Sequence, residues 1–257
     1  MEKEKKYKLT DESIIIDDRK LYRIEALKDF SDIHKGDKGG FIESEKNLSQ
    51  KGDCWVFGNS AVYDNAAVYE NARVYYNARV YEDAEVYGNA IVYEDAEVYY
   101  NARVYEDARV YGNARVYEDA RVYGDARVYG DAEVYGNARV YEDARVYEDA
   151  RVYGNARVYG DARVYDNSEV YDNASVYGDA YLSGSAEISN NSDYIVFKNW
   201  WSSGRFFTWT RSDNMWRVGC FYGTGEELIE KAYKDSELSG KEYERVVKYV
   251  ESILKEE

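Results

Sequence analysis

The amino-acid sequence predicts a mainly β protein, a parallel β-helix with a non-repeating segment at each end. One six-residue phrase, Val-Tyr-x-Asp/Asn-Ala-x, recurs between residues 54 and 192, and every sixth residue from Val56 to Val176 is valine. Small, charged, apolar and aromatic residues alternate within each unit, and alternation with period two is typical of a strand. The last two residues of each unit are turn formers, and Asp and Asn tolerate the left-handed backbone of a tight corner. This fixed short period indicates a β-helix whose units are each a short strand and a corner.

The same alternation predicts which side chains face inward. In the unit 114–119, Ala114 and Val116 share one side of the strand, whereas Arg115 and Tyr117 share the other. The slots of Val116 and Ala114 vary little between units, which indicates a crowded interior. The slot before each valine holds Arg, Glu, Ile, Ala or Ser, so it faces solvent. Tyrosine lies on that outer side, and we expect outward tyrosine ladders, which an amphipathic ring tolerates.

The number of units in one coil is suggested by a longer period. Glu97, Glu133 and Glu169 interrupt the arginine column at intervals of 36 residues, and residues 97–132 resemble residues 133–168. A duplicated block of six units is compatible with three units per coil but does not prove it.

The repeat resembles the left-handed β-helix family of hexapeptide-repeat proteins across residues 54–192. The family pattern, an aliphatic residue followed four positions later by a small one, is met by Val116 with Ala120 and by the neighbouring units. The resemblance implies three hexapeptides per coil, hence about eight coils, and a left-handed winding. The handedness depends on the resemblance alone, because general rules favour right-handed crossovers.

Residues 1–53 are expected to form an N-terminal β cap, because the open first coil of a solenoid is an unpaired edge. Residues 13–16 and 20–24 have the pattern of a β-hairpin. Residues 35–40 are expected to be a loop, after which winding begins near Phe41.

Residues 193–257 break the repeat and predict a small C-terminal α+β module. Residues 194–197 have a strand pattern, and residues 205–211 and 215–221 flank a turn signal, which predicts a hairpin. Two helices follow, each with a capping-box pattern at its start: Thr224 with Glu227, and Ser239 with Glu242.

The charge of the chain belongs mostly to the repeat. The formal net charge is −16, and residues 54–192 carry 12 Arg against 25 acidic residues, without Lys or His. An acidic rod repels nucleic acid and attracts basic partners. Direct nucleic-acid binding is therefore not expected.

The sequence predicts a cytoplasmic location. The charged start, residues 1–6, lacks the apolar run of a signal peptide, and no segment has the length and hydrophobicity of a membrane span. Cys54 and Cys220 are separated by the whole repeat, so we expect two buried free thiols in a reducing compartment.

Enzyme activity is not expected. The N-terminal segment resembles the leader of uncharacterised bacterial and prophage hexapeptide proteins, some of which are labelled transferases. The resemblance lies in residues 21–24, 39–42 and 52–55. Acyltransferases of this fold use a histidine as general base, and zinc enzymes need histidine ligands. The only histidine is His34, which we expect to be an ordinary loop residue. We expect no cofactor and no metal, and keep an acyltransferase-like enzyme as an alternative.

The expected function is that of a non-enzymatic binding or scaffold protein of phage or prophage type. A rigid β-helix would display the C-terminal module, which recognises a protein partner; inhibition of a host protein is one version, supported by resemblance. Tryptophan is enriched at binding hot spots, although the tryptophans could instead plug the open end of the β-helix. The outward arginines and tyrosines could bind an anionic or aromatic ligand or a protein, or could serve only to keep the rod soluble and its strands in register. The candidate binding residues are Trp200, Trp201, Trp209, Trp216, Arg109, Arg127, Arg145 and Arg163.

Two further hypotheses concern association. The solenoid carries carboxylates at regular intervals along its axis. It could therefore mimic DNA and inhibit a nucleic-acid-binding protein, although the interspersed arginines weaken the mimicry. The family resemblance also makes a homo-oligomer conceivable, because trimers are common among hexapeptide proteins. No membrane partner is expected.

Overall fold

The N-terminal cap is a three-stranded meander that leads into the solenoid. A computed structural model describes residues 4–255. The first strands, β1 (Tyr7–Ile16) and β2 (Arg19–Ala26), form the predicted antiparallel hairpin, and β3 (Lys38–Ile42) pairs antiparallel with β2. The expected loop at residues 35–40 is wrong in part, because β3 already begins at Lys38. Its glycines allow close packing, since a Cβ atom on Gly39 would lie 2.5 Å from the Ile24 side chain.

A parallel β-solenoid follows, as the repeat predicts. Between Trp55 and Ile188 the chain forms 23 two-residue strands, β4–β26, and each strand from β4 to β23 pairs in parallel with the strand 18 residues further on. Three units per coil and about eight coils are thereby confirmed, and at ~4.8 Å per strand the solenoid is roughly 35–40 Å long. The first coil is looser, because Phe41 of β3 pairs with Ala61, 20 residues on. The left-handed sense stays a prediction.

The strands form three faces. The first face consists of Trp55–Val56, Arg73–Val74, Ile91–Val92, Arg109–Val110, Arg127–Val128, Arg145–Val146, Arg163–Val164 and Tyr181–Leu182. The second face continues from β3 with Ala61–Val62, Arg79–Val80, Glu97–Val98, Arg115–Val116, Glu133–Val134, Arg151–Val152, Glu169–Val170 and Glu187–Ile188. The third face consists of Ala67–Val68, Glu85–Val86, Arg103–Val104, Arg121–Val122, Arg139–Val140, Arg157–Val158 and Ser175–Val176.

The interior of the solenoid contains the two invariant slots of the repeat. The valines from Val74 to Val176 and the alanines from Ala72 to Ala162 are completely buried in one continuous core. Serine replaces alanine at Ser168, whose hydroxyl donates a 2.6 Å hydrogen bond to the Tyr165 carbonyl. A small slot is required because the chain turns there and the three strands of a coil converge.

The N-terminal segment covers the first coil of the solenoid with a lysine side chain. At the first coil, the buried Lys6 ammonium donates to the carbonyls of Gly52 and Cys54, at 3.2 and 2.9 Å, and lies 3.2 Å from the Cys54 sulfur. Cys54 is a buried free thiol, as expected. The expectation that Cys220 is buried is wrong, because it lies in an exposed turn between two strands of the C-terminal module.

The C-terminal module is a four-stranded antiparallel sheet with two helices. Its elements are β27 (Tyr194–Lys198), β28 (Phe206–Thr210), β29 (Met215–Val218), β30 (Phe221–Gly223), α1 (Gly225–Asp235) and α2 (Glu237–Lys255). The predicted hairpin is confirmed as β28 and β29, but β29 ends at Val218 and Phe221 begins a further strand. Short 3-10 helices cover Glu45–Asn47 and Asn191–Asp193.

One of the two predicted helix starts is confirmed. Thr224 and Glu227 form the expected capping box of α1, in which the Thr224 hydroxyl accepts the Glu227 N–H. The expected box of Ser239 with Glu242 is wrong, because α2 begins at Glu237 and the Ser236 hydroxyl accepts the Ser239 N–H at 3.1 Å. Ser236 therefore ends α1 and also caps the first turn of α2, three residues earlier than predicted.

The sheet of the module separates the helices from the last coil. Phe207, Trp209 and Trp216 pack with the helices in a core separate from that of the solenoid. Thr208 faces the other way, and its hydroxyl accepts the Tyr181 N–H at 2.9 Å. The tryptophans therefore do not plug the solenoid, because the period-two alternation directs Thr208 rather than Trp209 towards it.

Candidate functional site

The outer surface of the solenoid carries the predicted tyrosine ladders. Rings 18 residues apart stack with centroids 4.6–5.3 Å apart and planes within 15°. Burial raises the pKa of most of these tyrosines, that of Tyr99 to about 12. The ladders are Tyr63, Tyr81, Tyr99, Tyr117, Tyr135, Tyr153 and Tyr171; Tyr69, Tyr87, Tyr105, Tyr123, Tyr141, Tyr159 and Tyr177; and Tyr93, Tyr111, Tyr129, Tyr147 and Tyr165. Because neighbouring rings stack on one another, each ladder forms a continuous aromatic surface.

The acidic corners connect successive coils. The Glu106 carboxylate accepts the Gly124 N–H, and that of Glu142 accepts the Gly160 N–H, at 2.8 and 2.9 Å. These glutamates adopt φ near 59°, the left-handed conformation expected of the corner. Sequence reasoning missed this contact, although its signal is present: five corner glutamates, residues 70, 94, 106, 118 and 142, each precede a glycine by one coil. Within residues 4–255, no group of three or more His, Cys, Asp or Glu is placed to hold a metal ion.

The predicted arginine column lies on the first face. Arg109, Arg127, Arg145 and Arg163 occupy successive coils, because each pairs with the residue 18 positions on. On the second face, by contrast, arginine and glutamate alternate, and Arg151 lies 3.3 Å from Glu169. Such exposed ion pairs contribute well under ~1 kcal/mol each. The first face therefore presents a column of like charges, as does the third face with Arg103, Arg121, Arg139 and Arg157.

Only one of the predicted tryptophans is presented to solvent. Trp209 and Trp216 are core residues of the module, 1% and 2% exposed, and Trp201 packs edge-on against Tyr243. The Trp200 side chain is 75% exposed. The sequence did not separate these roles because tryptophan suits both a core and a binding surface.

The exposed tryptophan belongs to a constrained loop, residues 199–205, named here the Trp200 loop. The buried Asn199 side chain accepts hydrogen bonds from the N–H and hydroxyl of Ser202, at 2.9 and 3.0 Å, and donates to the Tyr243 hydroxyl. The Asn199 N–H also donates to the Arg205 carbonyl at 2.7 Å, which closes the loop. These hydrogen bonds constrain the backbone of the loop on both sides of Trp200.

A cleft of about 430 Å³ lies where the module meets the last coils. It is lined by Arg163 and Tyr165 of the solenoid and by Arg205 and Arg217 of the module. Arg163 was predicted from the sequence, whereas Arg205 and Arg217 were not, because nothing in the repeat pattern indicates which residues of a separate module contact the solenoid.

His34 was expected to be an ordinary loop residue. His34 lies in an exposed loop of the N-terminal segment, and its backbone N–H donates to the Asp37 carboxylate at 2.7 Å. Within the part of the chain that the structure describes, neither helix has the length and apolar character needed to cross a membrane.

Comparison with known proteins supports the repeat architecture. The family model described as the YdcK beta solenoid repeat matches residues 108–124, 120–133, 132–148 and 150–166, all within the solenoid. No curated protein sequence matches the chain. The match and the three-sided coil together describe a β-solenoid repeat protein.

Proposed function

We propose that this β-solenoid repeat protein is a non-enzymatic binding protein whose C-terminal module recognises a protein partner. The observation that carries the proposal is Trp200, a large aromatic side chain that is 75% exposed on a hydrogen-bonded loop. Tryptophan is enriched at binding hot spots because it buries a large area with little loss of conformational entropy.

The surroundings of Trp200 favour a preorganised contact. Its ring meets Trp201 edge-on at a centroid distance of 6.0 Å, and Trp201 in turn packs on Phe207 and Tyr243. A partner would therefore bind a surface that is already ordered, which reduces the entropy lost on association.

The solenoid is proposed to serve as a rigid support for this surface. From Trp55 to Ile188 every parallel pairing joins residues 18 apart, so no loop interrupts the coils. Inhibition of a host protein by a phage or prophage protein is the version of this function that the family resemblance favours.

The test is affinity capture from a bacterial lysate followed by mass spectrometry. The unaltered chain should retain one stoichiometric partner, and Trp200→Ala should lose it. Tyr76→Ala is the matched control, because Tyr76 is an aromatic residue on the solenoid that is 65% exposed. The control variant should retain the partner.

Two results would contradict the proposal. Retention of the partner by Trp200→Ala would show that the Trp200 loop is not the recognition surface. Loss of the partner on replacing Glu106 and Glu142 by glutamine, with Trp200 intact, would instead support the DNA-mimic hypothesis.

A further inference from the structure

Three arginines meet in the cleft between the solenoid and the module. Arg163 comes from the first face of the solenoid, Arg217 from β29 and Arg205 from the end of the Trp200 loop. The Asp179 carboxylate lines the same cleft. Three positive groups and one negative group leave two net positive charges, within a chain whose formal net charge is −16.

The guanidinium groups of Arg163 and Arg217 lie over aromatic rings. Arg163 lies over the ring of Tyr181, with its central carbon 4.8 Å from the ring centroid, and Arg217 lies over Tyr165 at 5.2 Å. Cation–π contacts of this kind use the flat face of the guanidinium. A contact with an aromatic ring does not itself supply acceptors for the N–H donors of the guanidinium.

The donors in the cleft are not matched by acceptors. The buried Nε–H of Arg217 has no hydrogen-bond partner among residues 4–255. None of the ion pairs in this described part of the chain includes Arg163, Arg205 or Arg217. A buried donor without a partner is costly, so a bound acceptor would stabilise the arrangement.

We propose that this cleft binds a small phosphate monoester. Such a group carries close to two negative charges at neutral pH, which matches the two net positive charges of the lining. Arginine binds phosphate oxygens through paired N–H donors, and the Nε–H of Arg217 is a donor without a partner here. A volume of about 430 Å³ is large enough for a small molecule.

The test is calorimetric titration of the full-length protein with phenyl phosphate and with inorganic phosphate. Phenyl phosphate should bind at one site per chain. Arg217→Met and Arg205→Met should each weaken it about 10-fold or more, because each removes a charge-assisted hydrogen bond. Equal affinity for the two probes would assign recognition to the phosphate alone, whereas tighter phenyl phosphate would add the aromatic lining; either result supports the proposal.

Arg127→Met is the matched control, because Arg127 lies two coils from Arg163 on the same face and does not line the cleft. It should leave the affinity unchanged. Arg205 is exposed, so Arg205→Met should fold normally and its effect on binding is not caused by a disturbed core. Failure of the unaltered chain to bind either probe, or equal weakening by Arg127→Met and Arg205→Met, would overturn the proposal.

Discussion

Ala66 and Ala67 are neighbours in the chain, yet they lie on opposite sides of the solenoid wall. Ala66 occupies the small inward slot and is completely buried, whereas Ala67 occupies the outward slot before Val68 and is half-buried. Ala66→Val should lower the free energy of unfolding by about 1–3 kcal/mol, because extra methyl groups cannot fit a close-packed interior. Urea denaturation would measure the loss.

Ala67→Val is the control for that substitution. It adds the same atoms on the solvent side and should change stability by no more than ~0.5 kcal/mol. Equal losses for the two variants would contradict the assignment of inward and outward slots.

The contrast between these alanines shows what the sequence could predict at the scale of single residues. Twenty-odd repeats sample each slot many times, so the inward positions follow from invariance. The end segments contain each pattern only once. Cys220 and Trp209 were therefore misjudged or left open, because their burial depends on a turn and on a strand face that repetition does not reveal.

At the scale of elements, the stability of a tyrosine ladder should depend on how many stacked neighbours each ring has. Tyr123 stacks between Tyr105 and Tyr141 at 4.9 and 5.0 Å, whereas Tyr177 ends its ladder with one stack, on Tyr159. Each stacked pair contributes about 0.5–1.5 kcal/mol beyond area burial. Tyr123→Ala should therefore destabilise the protein by about 2–3 kcal/mol, and Tyr177→Ala by roughly half as much.

The midpoint of urea unfolding would compare these variants. Tyr123→Phe retains the ring and should stay close to the unaltered chain, which separates stacking from the hydroxyl. If Tyr177→Ala were as harmful as Tyr123→Ala, the ladder would not act through neighbouring rings.

Element boundaries were predictable where a local signal was unambiguous. The capping box of Thr224 with Glu227 places the start of α1 because both partners are in the sequence. The start of α2 was misplaced because Ser236 and Ser239 both suit a cap, and only the short turn after α1 selects the first. Similarly, β3 begins inside a glycine-rich stretch that is typical of loops, since the glycines serve close packing instead.

At the scale of the whole molecule, the solenoid could be predicted but the docking of the module could not. The 18-residue pairing follows from a pattern within one segment, whereas the cleft of Arg163 and Arg217 joins segments with no shared pattern. Docking depends on which face of the module sheet meets the last coil. Thr208 and Arg217 mark that face, and neither stands out in the sequence.

The ladders also make the whole molecule sensitive to alkaline pH. Burial raises the pKa of ladder tyrosines such as Tyr105, Tyr129 and Tyr141, and that of Tyr99 to about 12. In the unfolded chain tyrosine titrates near ~10. Above that pH the unfolded state has lost protons that the folded state retains, so the free energy of unfolding falls as pH rises. Lys6 acts in the opposite sense, because burial lowers its pKa, but it is one group against many.

We therefore expect one cooperative alkaline transition above pH ~10, in which tyrosinate absorbance appears together with loss of the β circular dichroism signal. The same chain unfolded in urea should show gradual tyrosine titration centred near ~10. Tyrosinate absorbance that rises near that value while the β signal persists would contradict the burial of the ladders. Because stacked rings shield one another, ionisation of one should expose its neighbours, and the transition should be steeper than the titration of independent tyrosines.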